Sequence, residues 1–85
     1  MAKVTIYTTP ICPYCQMAKQ LLHRKGAEYD EIDVLRQPVL RAEMRAKAGG
    51  RQTVPQIWIG DSHIGGCDEL YELEAAGRLD TLLAA

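Results

Sequence analysis

The stretch Cys12-Pro13-Tyr14-Cys15 decides the fold prediction, because it joins two segments of different periodicity. Before it, residues 4–7 are the β-branched and aromatic types that are typical of a strand. After it, residues 16–25 place apolar side chains at helical spacing. Cys12 therefore falls at a helix N-terminus, where unpaired backbone N–H groups and the helix dipole stabilise a thiolate. This arrangement indicates a redox centre.

Length and composition are those of a small globular domain. The chain has 85 residues, of which 47% are hydrophobic and 25% are charged. A chain of this length suits one domain with one core, so we expect residues 1–85 to form a single domain. The net charge is −1 and the pI is about 6.1, with no run of basic residues. This balance disfavours nucleic acid and anionic membrane surfaces as partners.

Neither a membrane span nor a secretion signal is expected. No apolar segment approaches the roughly 18 residues that a spanning helix needs. The N-terminus enters a strand pattern without a basic region followed by an apolar stretch. Three cysteines are an odd number and fit no secreted disulfide framework. We therefore expect a cytoplasmic protein, in a reducing compartment, that uses two of its cysteines as a functional pair.

The periodicity predicts a strand, a helix, a strand, a helix, two strands and a final helix. The first strand–helix–strand unit has the spacing of a parallel crossover. The whole order predicts an α/β fold, with a four-stranded mixed sheet and helices on both faces. The predicted spans are a strand over 3–8, a helix over 13–25, a strand over 29–34, a helix over 38–48, a strand over 57–59, a turn over 60–62, a strand from His63, a helix from Cys67 or Asp68 to Ala76, and a short capping turn or helix over 79–83. The apolar faces predicted for the first two helices are Met17, Ala18, Leu21 and Leu22, and Val39, Leu40 and Met44.

The two cysteines of the central motif are expected to differ in role. Cys12 is predicted to be exposed and nucleophilic, because the helix N-terminus and the amides of Tyr14 and Cys15 favour its thiolate. Cys15, one turn inside the helix, is predicted to be more buried and to act as the resolving thiol. Two other interpretations stay open: a zinc site that adds His63 and Cys67 to the pair, and two cysteines that only fill the core.

Three motifs together resemble those of the glutaredoxins, specifically the small dithiol bacterial type. They are Cys12-Pro13-Tyr14-Cys15, Thr53-Val54-Pro55-Gln56-Ile57 and Gly65-Gly66-Cys67-Asp68, in this order and spacing. The element order is similar over essentially the whole chain. Thioredoxins instead carry Trp-Cys-Gly-Pro-Cys on a longer chain, and single-cysteine relatives that carry iron–sulfur clusters usually have Cys-Gly-Phe-Ser. The resemblance implies a thioredoxin-like fold and a glutathione-dependent disulfide oxidoreductase with Cys12 and Cys15 as its catalytic residues.

The same resemblance implies a binding site for glutathione. It implies a cis peptide bond between Val54 and Pro55, which lets the Val54 backbone pair with the cysteinyl residue of glutathione. The start of the last long helix would bind the γ-glutamyl carboxylate, and the Asp68 side chain would bind the amine. Arg51 is the expected partner of the glycine carboxylate, with Gln52 a weaker candidate. The expected glutathione-binding residues are Tyr14, Arg51, Thr53, Val54, Pro55, Cys67 and Asp68.

Two of these assignments have simpler alternatives, and one position departs from the family pattern. Asp68 could serve only as an acid at a helix start, and Cys67 could be a small, semi-buried residue without a redox role. Many glutaredoxins carry Lys or Arg three residues before the first cysteine, where this chain has Thr9. Lys3 and Lys19 are the nearest basic residues in the sequence, and neither is clearly placed to help. The departure puts in doubt how strongly the Cys12 thiolate is stabilised and puts more weight on Arg51.

The resemblance implies glutathione as a co-substrate, with no tightly bound cofactor and no metal. Expected partners are glutathionylated or disulfide-containing client proteins, for example ribonucleotide reductase, and the chain is expected to be a monomer. Two other functional classes stay open. One is a redoxin that thioredoxin reductase reduces and that serves a single client. The other is a dimeric carrier that holds an iron–sulfur cluster through Cys12 and glutathione.

Overall fold

The computed structural model describes residues 1–85, and its elements follow the predicted order. A helix of six residues forms where a capping turn or helix was expected, and the fourth strand begins one residue earlier than predicted, at Ser62. The elements are β1 (Val4–Thr8), α1 (Pro13–Arg24), β2 (Tyr29–Asp33), α2 (Pro38–Lys47), β3 (Gln56–Ile59), β4 (Ser62–Gly65), α3 (Cys67–Ala75) and α4 (Leu79–Ala84).

The four strands form one mixed sheet in the order β2-β1-β3-β4. β1 pairs with β2 in parallel, across the connection that contains α1. β3 is antiparallel to both β1 and β4. The predicted mixed sheet is therefore confirmed, and its parallel pair is the one that the strand–helix–strand spacing indicated.

The larger part of the core lies on the sheet face that α1, α3 and α4 cover. Alternate residues of β1, such as Val4 and Ile6, point to this face because side chains alternate across a strand. Fully burying an Ile or Leu side chain contributes about 1.5–3 kcal/mol, so this cluster dominates the stability of the sheet–helix contact. The buried cluster consists of Val4, Ile6, Ala18, Leu21, Leu22, Ala27, Ile57, Ile59, Cys67, Leu70, Leu79 and Leu83.

The opposite face carries a smaller core under α2, formed by Tyr7, Val34 and Met44. Helices thus cover both faces, as predicted. One predicted contact is wrong: Val39 was expected to face inward and is 79% exposed. Leu40 and Met44 are four residues apart and share a helix face, whereas Val39 is rotated by about 100° from Leu40. Because α2 contacts the sheet only through the narrow stripe that contains Leu40 and Met44, Val39 is left in solvent.

The apolar face of α1 is also narrower than predicted. Ala18, Leu21 and Leu22 are buried, but Met17 is 43% exposed. Met17 lies at the edge of the stripe that the other three residues define, because successive residues turn by about 100°. Its backbone carbonyl oxygen accepts a hydrogen bond of 3.0 Å from the Tyr71 hydroxyl of α3, so this position joins the two helices through its main chain.

The sheet brings the three sequence motifs to one end of the molecule. Tyr7, near the C-terminal end of β1, pairs with Gln56 at the start of β3, and the next residue of β3, Ile57, pairs with Gly65 at the end of β4. The loops that leave or enter these strand ends carry the cysteine motif, the segment before Gln56 and the start of α3. None of the four helices combines the length and the apolar character that a membrane span requires.

Candidate functional site

Cys12 is the N-cap residue of α1, so its side chain lies at the positive end of the helix. Its Sγ accepts a hydrogen bond of 3.2 Å from the backbone N–H of Cys15. The Cys12 thiol lies 3.8 Å from the carbonyl oxygen of Val54, to which it donates. Pro13 follows as the first helical residue, where a missing N–H costs no hydrogen bond. Cys12 is partly exposed, so a substrate sulfur can reach it.

Cys15 has a different environment from Cys12, as the sequence predicted. Its side chain is 0% exposed. Burial, followed by the hydrogen bond with Cys12, raises the pKa of Cys15 to about 12. Cys15 is therefore a neutral thiol near neutral pH. Burial, together with the charge of Asp68, also raises the pKa of Cys67, which lies at the start of α3.

These differences predict that iodoacetamide at pH 7.5 modifies one cysteine per folded chain. We expect Cys12 to react, because it is the accessible thiol at the helix N-terminus, and Cys15 and Cys67 to stay unmodified because both are buried. Peptide mass spectrometry after a short labelling time measures this directly. Unfolding in urea serves as the control and should expose all three cysteines to the reagent. Early labelling of Cys15 in the folded protein would contradict the assignment of roles.

A pocket of about 140 Å³ lies beside the cysteine motif. All seven residues that were expected to bind glutathione line it, together with two that were not expected. The lining residues are Tyr14, Arg51, Thr53, Val54, Pro55, Gly66, Cys67, Asp68 and Glu69. The expected Val54–Pro55 cis peptide bond is present.

Glu69 is a residue of this pocket that the sequence did not indicate. Its Oε1 accepts a hydrogen bond of 2.7 Å from the Gly66 N–H and lies 3.0 Å from Nη2 of Arg51. The Gly66 N–H and the Arg51 guanidinium together hold the pKa of the Glu69 carboxyl below its usual value. Arg51, the residue expected to bind the glycine carboxylate, is thus already anchored at the pocket wall. The sequence carries a local signal for the contact between Glu69 and the Gly66 N–H, since an acid three residues after an N-cap residue is a capping pattern.

The N-terminus of α3 opens into the same pocket. Gly66 is the N-cap residue and has no side chain that could accept hydrogen bonds from the first N–H groups of the helix. Those donors and the helix dipole favour an anion. Asp68 lies in this first turn and is exposed, so a ligand that carries both a carboxylate and an amine finds complementary groups within one helical turn.

Gln56 supports the pocket from behind through a hydrogen-bond chain that was also missed. The Gln56 side chain is completely buried, and its Nε2 donates to the carbonyl oxygen of Thr53 at 3.0 Å and to its Oγ1 at 3.2 Å. Its Oε1 lies 2.7 Å from Nε2 of His63, which stacks on Trp58. Gln56 thereby fixes the loop that carries Val54.

The zinc interpretation of the cysteines finds no support in this geometry. His63 is not free to join the cysteines, because its Nε2 is engaged by Oε1 of Gln56 at 2.7 Å. No group of three or more Cys, His, Asp and Glu side chains is placed to hold a metal ion. The site therefore offers one accessible thiol, Cys12, two buried thiols, Cys15 and Cys67, and a pocket with groups for carboxylates and an amine.

Comparisons with known proteins agree with this chemistry. The glutaredoxin family model matches residues 4–64. A glutaredoxin from Pseudomonas aeruginosa is 60% identical over 85 residues and is covered completely, as is this chain. The solution structure of a glutaredoxin from Brucella melitensis is 60% identical and superposes with a TM-score of 0.86 over 98% of this chain and 89% of that one.

A more distant structure carries the ligand that the pocket suggests. The crystal structure of a buckwheat glutaredoxin–glutathione complex is 31% identical and superposes with a TM-score of 0.88, over 95% of this chain and 76% of that chain. The extent of the family match and the identity to these relatives show that the chain belongs to the glutaredoxin family of glutathione-dependent thiol-disulfide oxidoreductases.

Proposed function

We propose that Cys12 is the nucleophile of this oxidoreductase, that Cys15 is its resolving thiol, and that the pocket beside them binds glutathione. In this proposal residues 1–85 act as one domain. The observation that carries it is the convergence of seven expected residues on one pocket beside the one accessible thiol. A buckwheat glutaredoxin solved in complex with glutathione supports the choice of ligand.

With a glutathionylated client, the reaction needs Cys12 alone. The Cys12 thiolate attacks the glutathione sulfur of the mixed disulfide, a Cys12–glutathione disulfide forms, and the client thiolate leaves and takes a proton. The thiolate of a second glutathione then attacks the bound glutathione sulfur. This step releases oxidised glutathione and restores the Cys12 thiolate.

With a protein disulfide, the reaction uses both cysteines. Cys12 attacks one client sulfur and forms a mixed disulfide, and Cys15 loses its proton and attacks Cys12. The Cys12–Cys15 disulfide forms, and the client leaves as a dithiol. Two molecules of glutathione then reduce the new disulfide. Because burial keeps Cys15 as a neutral thiol, it does not compete with Cys12 for the first attack.

The pocket accommodates glutathione in one direction. The free N–H groups at the start of α3 bind the γ-glutamyl carboxylate, and Asp68 binds the adjacent amine. The Val54 backbone pairs with the cysteinyl residue, whose sulfur then points to Cys12. Arg51 binds the glycine carboxylate through the donors that Glu69 leaves free, and Tyr14 covers the mixed disulfide.

We expect Arg51→Ala to raise the KM for a glutathionylated peptide about tenfold with little change in kcat, since a charge-assisted hydrogen bond to a bound carboxylate contributes about 1.5–3 kcal/mol. The sharper measurement repeats the assay with a peptide that carries glutathione ethyl ester, in which the glycine carboxylate is blocked. The ester should raise the KM of the wild-type protein, and Arg51→Ala should then add nothing.

Arg45→Ala is the matched control, because Arg45 is an exposed arginine of α2 outside this pocket. It should leave both KM values unchanged. Equal losses on the ester and on the free acid in the Arg51→Ala protein would show that Arg51 does not contact the glycine carboxylate.

We further propose that the chain works as a monomer in the cytoplasm and holds no tightly bound cofactor, with glutathione as its co-substrate. Its clients are glutathionylated or disulfide-containing proteins, for example ribonucleotide reductase. The odd number of cysteines, all of them free, supports a reducing compartment.

A further inference from the structure

A charged cluster lies one helical turn behind the resolving thiol. The Lys19 Nζ of α1 lies 3.0 Å from the Oε2 of Glu31 on β2, and the same oxygen accepts a hydrogen bond of 2.7 Å from Thr8. Thr8 is buried, and the Lys19 side chain is only 18% exposed. The Glu31 side chain is 37% exposed, so the ion pair is only partly shielded from solvent and is partly screened by salt.

The cluster faces Cys15. Cys15 and Lys19 are four residues apart on α1 and so lie on the same side of the helix, with Cβ atoms about 5–6 Å apart. Side chains on a helix lean toward its N-terminus, which directs the Lys19 stem toward the turn that contains Cys15. Glu31 is held by Thr8, the last residue of β1, immediately before the cysteine loop. The ammonium is thereby fixed at the cysteine end of the sheet.

The electrostatics of Lys19 and Cys15 agree with this placement. The hydrogen bond from Lys19 to Glu31 raises the pKa of Lys19, so that Lys19 stays protonated. Burial opposes the ionisation of Glu31, but the bonds from Thr8 and Lys19 hold the pKa of Glu31 below its usual value. Lys19 is the one positive side chain among the groups that lower the pKa of Cys15. The other ionisable neighbours are Cys12 in front of Cys15 and Tyr29 beside Lys19.

We propose that Lys19 stabilises the thiolate of Cys15 during the intramolecular step, and that Glu31 is the positioning residue that holds Lys19 and moderates its charge. This inference rests on the proposed roles of Cys12 and Cys15. It assigns a function to a basic residue that supports the second cysteine rather than the first. It concerns the reduction of protein disulfides, since a glutathionylated client needs no attack by Cys15.

The chemical step shows where the charge acts. Cys15 releases its proton to water, and its thiolate attacks the sulfur of Cys12 in the mixed disulfide. The Cys12–Cys15 bond forms as the Cys12–client bond breaks, and the client thiolate leaves with the electron pair. Negative charge therefore appears on Cys15 before the attack, in a site where burial opposes it. A fixed ammonium one turn away lowers the cost of that charge.

The test measures the intramolecular step by rapid quench. Reduced protein is mixed with excess oxidised glutathione and quenched with acid, and mass spectrometry follows the Cys12–glutathione adduct and the Cys12–Cys15 disulfide. We expect Lys19→Gln to slow disulfide closure roughly three- to fivefold, because a tenfold loss of thiolate is partly offset by the higher nucleophilicity of a more basic thiol. Glu31→Gln should accelerate closure, since the amide oxygen still accepts a hydrogen bond from Lys19 and holds it in place but no longer offsets its charge. Lys19→Arg should keep the wild-type rate.

Two further readouts separate an electrostatic role from a structural one. The pH midpoint of the closure rate should move up in Lys19→Gln and down in Glu31→Gln. In a Cys15→Ser background both substitutions should leave the rate of adduct formation unchanged. Lys47→Gln is the matched control, because Lys47 pairs with Glu43 on α2 instead of lying on α1.

The inference would be overturned if Lys19→Gln and Glu31→Gln changed the closure rate in the same direction, or if neither changed it. It would also be overturned if either substitution changed the rate of adduct formation in the Cys15→Ser background. Its failure can be told from a failure of the proposed function. If Cys12→Ser still formed the adduct, the assignment of the nucleophile would be wrong whatever Lys19 does.

Discussion

Cys12→Ser should abolish the reduction of a glutathionylated peptide, whereas Cys15→Ser should keep most of it. The two substitutions replace sulfur by oxygen three residues apart in the same helix turn, so each is the control for the other. We expect a loss on the order of a thousandfold or more for Cys12→Ser, since a serine hydroxyl is not ionised near neutral pH and is a poor nucleophile without an adjacent base.

The physical reason lies in the different environments of the two thiols. The sulfur of Cys12 is accessible, caps α1 and accepts the Cys15 N–H. The thiol of Cys15 is completely buried, and its pKa is raised to about 12. In the proposed mechanism glutathione attacks the Cys12 adduct directly, so we expect Cys15 to be dispensable for this substrate. Removing Cys15 also removes the competing closure step, which should raise rather than lower the steady-state amount of adduct.

The measurement couples the reaction to glutathione reductase and follows NADPH consumption, with the adduct identified by mass spectrometry. A dead Cys15→Ser protein would mean that the intramolecular disulfide is obligatory. The chain would then act as a dithiol donor, and the glutathione pocket would need another explanation. Residual turnover in Cys12→Ser would point to a different nucleophile.

The sequence predicted the fold well because its signals are local and agree with one another. Apolar spacing predicted α1, and the order of the elements with the strand–helix–strand spacing predicted a mixed sheet. The errors at Val39 and Met17 come from the same use of apolar periodicity. Periodicity shows that a face is apolar, but the width of the buried stripe depends on how closely the helix approaches the sheet.

The supporting contacts of the site could not be predicted because they join distant parts of the chain. Lys19 of α1 contacts Glu31 of β2, which lies 12 positions later in the sequence. Gln56 contacts His63 because the pairing of β3 with β4 brings the two strands side by side. These charged and polar partners occur at surface-like positions in the sequence, where a solvated side chain is the ordinary expectation. Family motifs indicated the residues that line the pocket, and only the three-dimensional packing identified the residues behind them.

Gly65→Ala is the substitution outside the cysteines from which we expect the largest effect. Gly65 has a φ of +113°, a conformation that other residues rarely adopt. A methyl group on Gly65 would collide with Oε1 of Glu69 and would lie 2.9 Å from Nη1 of Arg51. The variant must therefore both strain the backbone and displace the ion pair at the pocket wall.

Gly77→Ala isolates the first of these costs, the backbone strain. Gly77 also has a positive φ, of +71°, but a methyl group there would meet nothing within 4 Å. We expect Gly77→Ala to destabilise the protein by about 1–2 kcal/mol, the cost of the left-handed conformation alone. Gly65→Ala should cost about 2–5 kcal/mol, since a disrupted hydrogen-bonded charge adds about 1–3 kcal/mol to the backbone strain.

Urea unfolding gives both free energies, and the KM for a glutathionylated peptide gives the effect on the pocket. Gly65→Ala should raise that KM, because Arg51 and the Gly66 N–H lose the carboxylate that orients them. Gly77→Ala should leave the KM unchanged, because its strain lies between α3 and α4, outside the pocket lining. Equal destabilisation with equal KM values in the two variants would mean that the Arg51–Glu69 pair yields to a methyl group without cost. The pair would then be a flexible surface contact rather than a fixed wall of the glutathione site, and the orientation proposed for the glycine carboxylate would lose its physical basis.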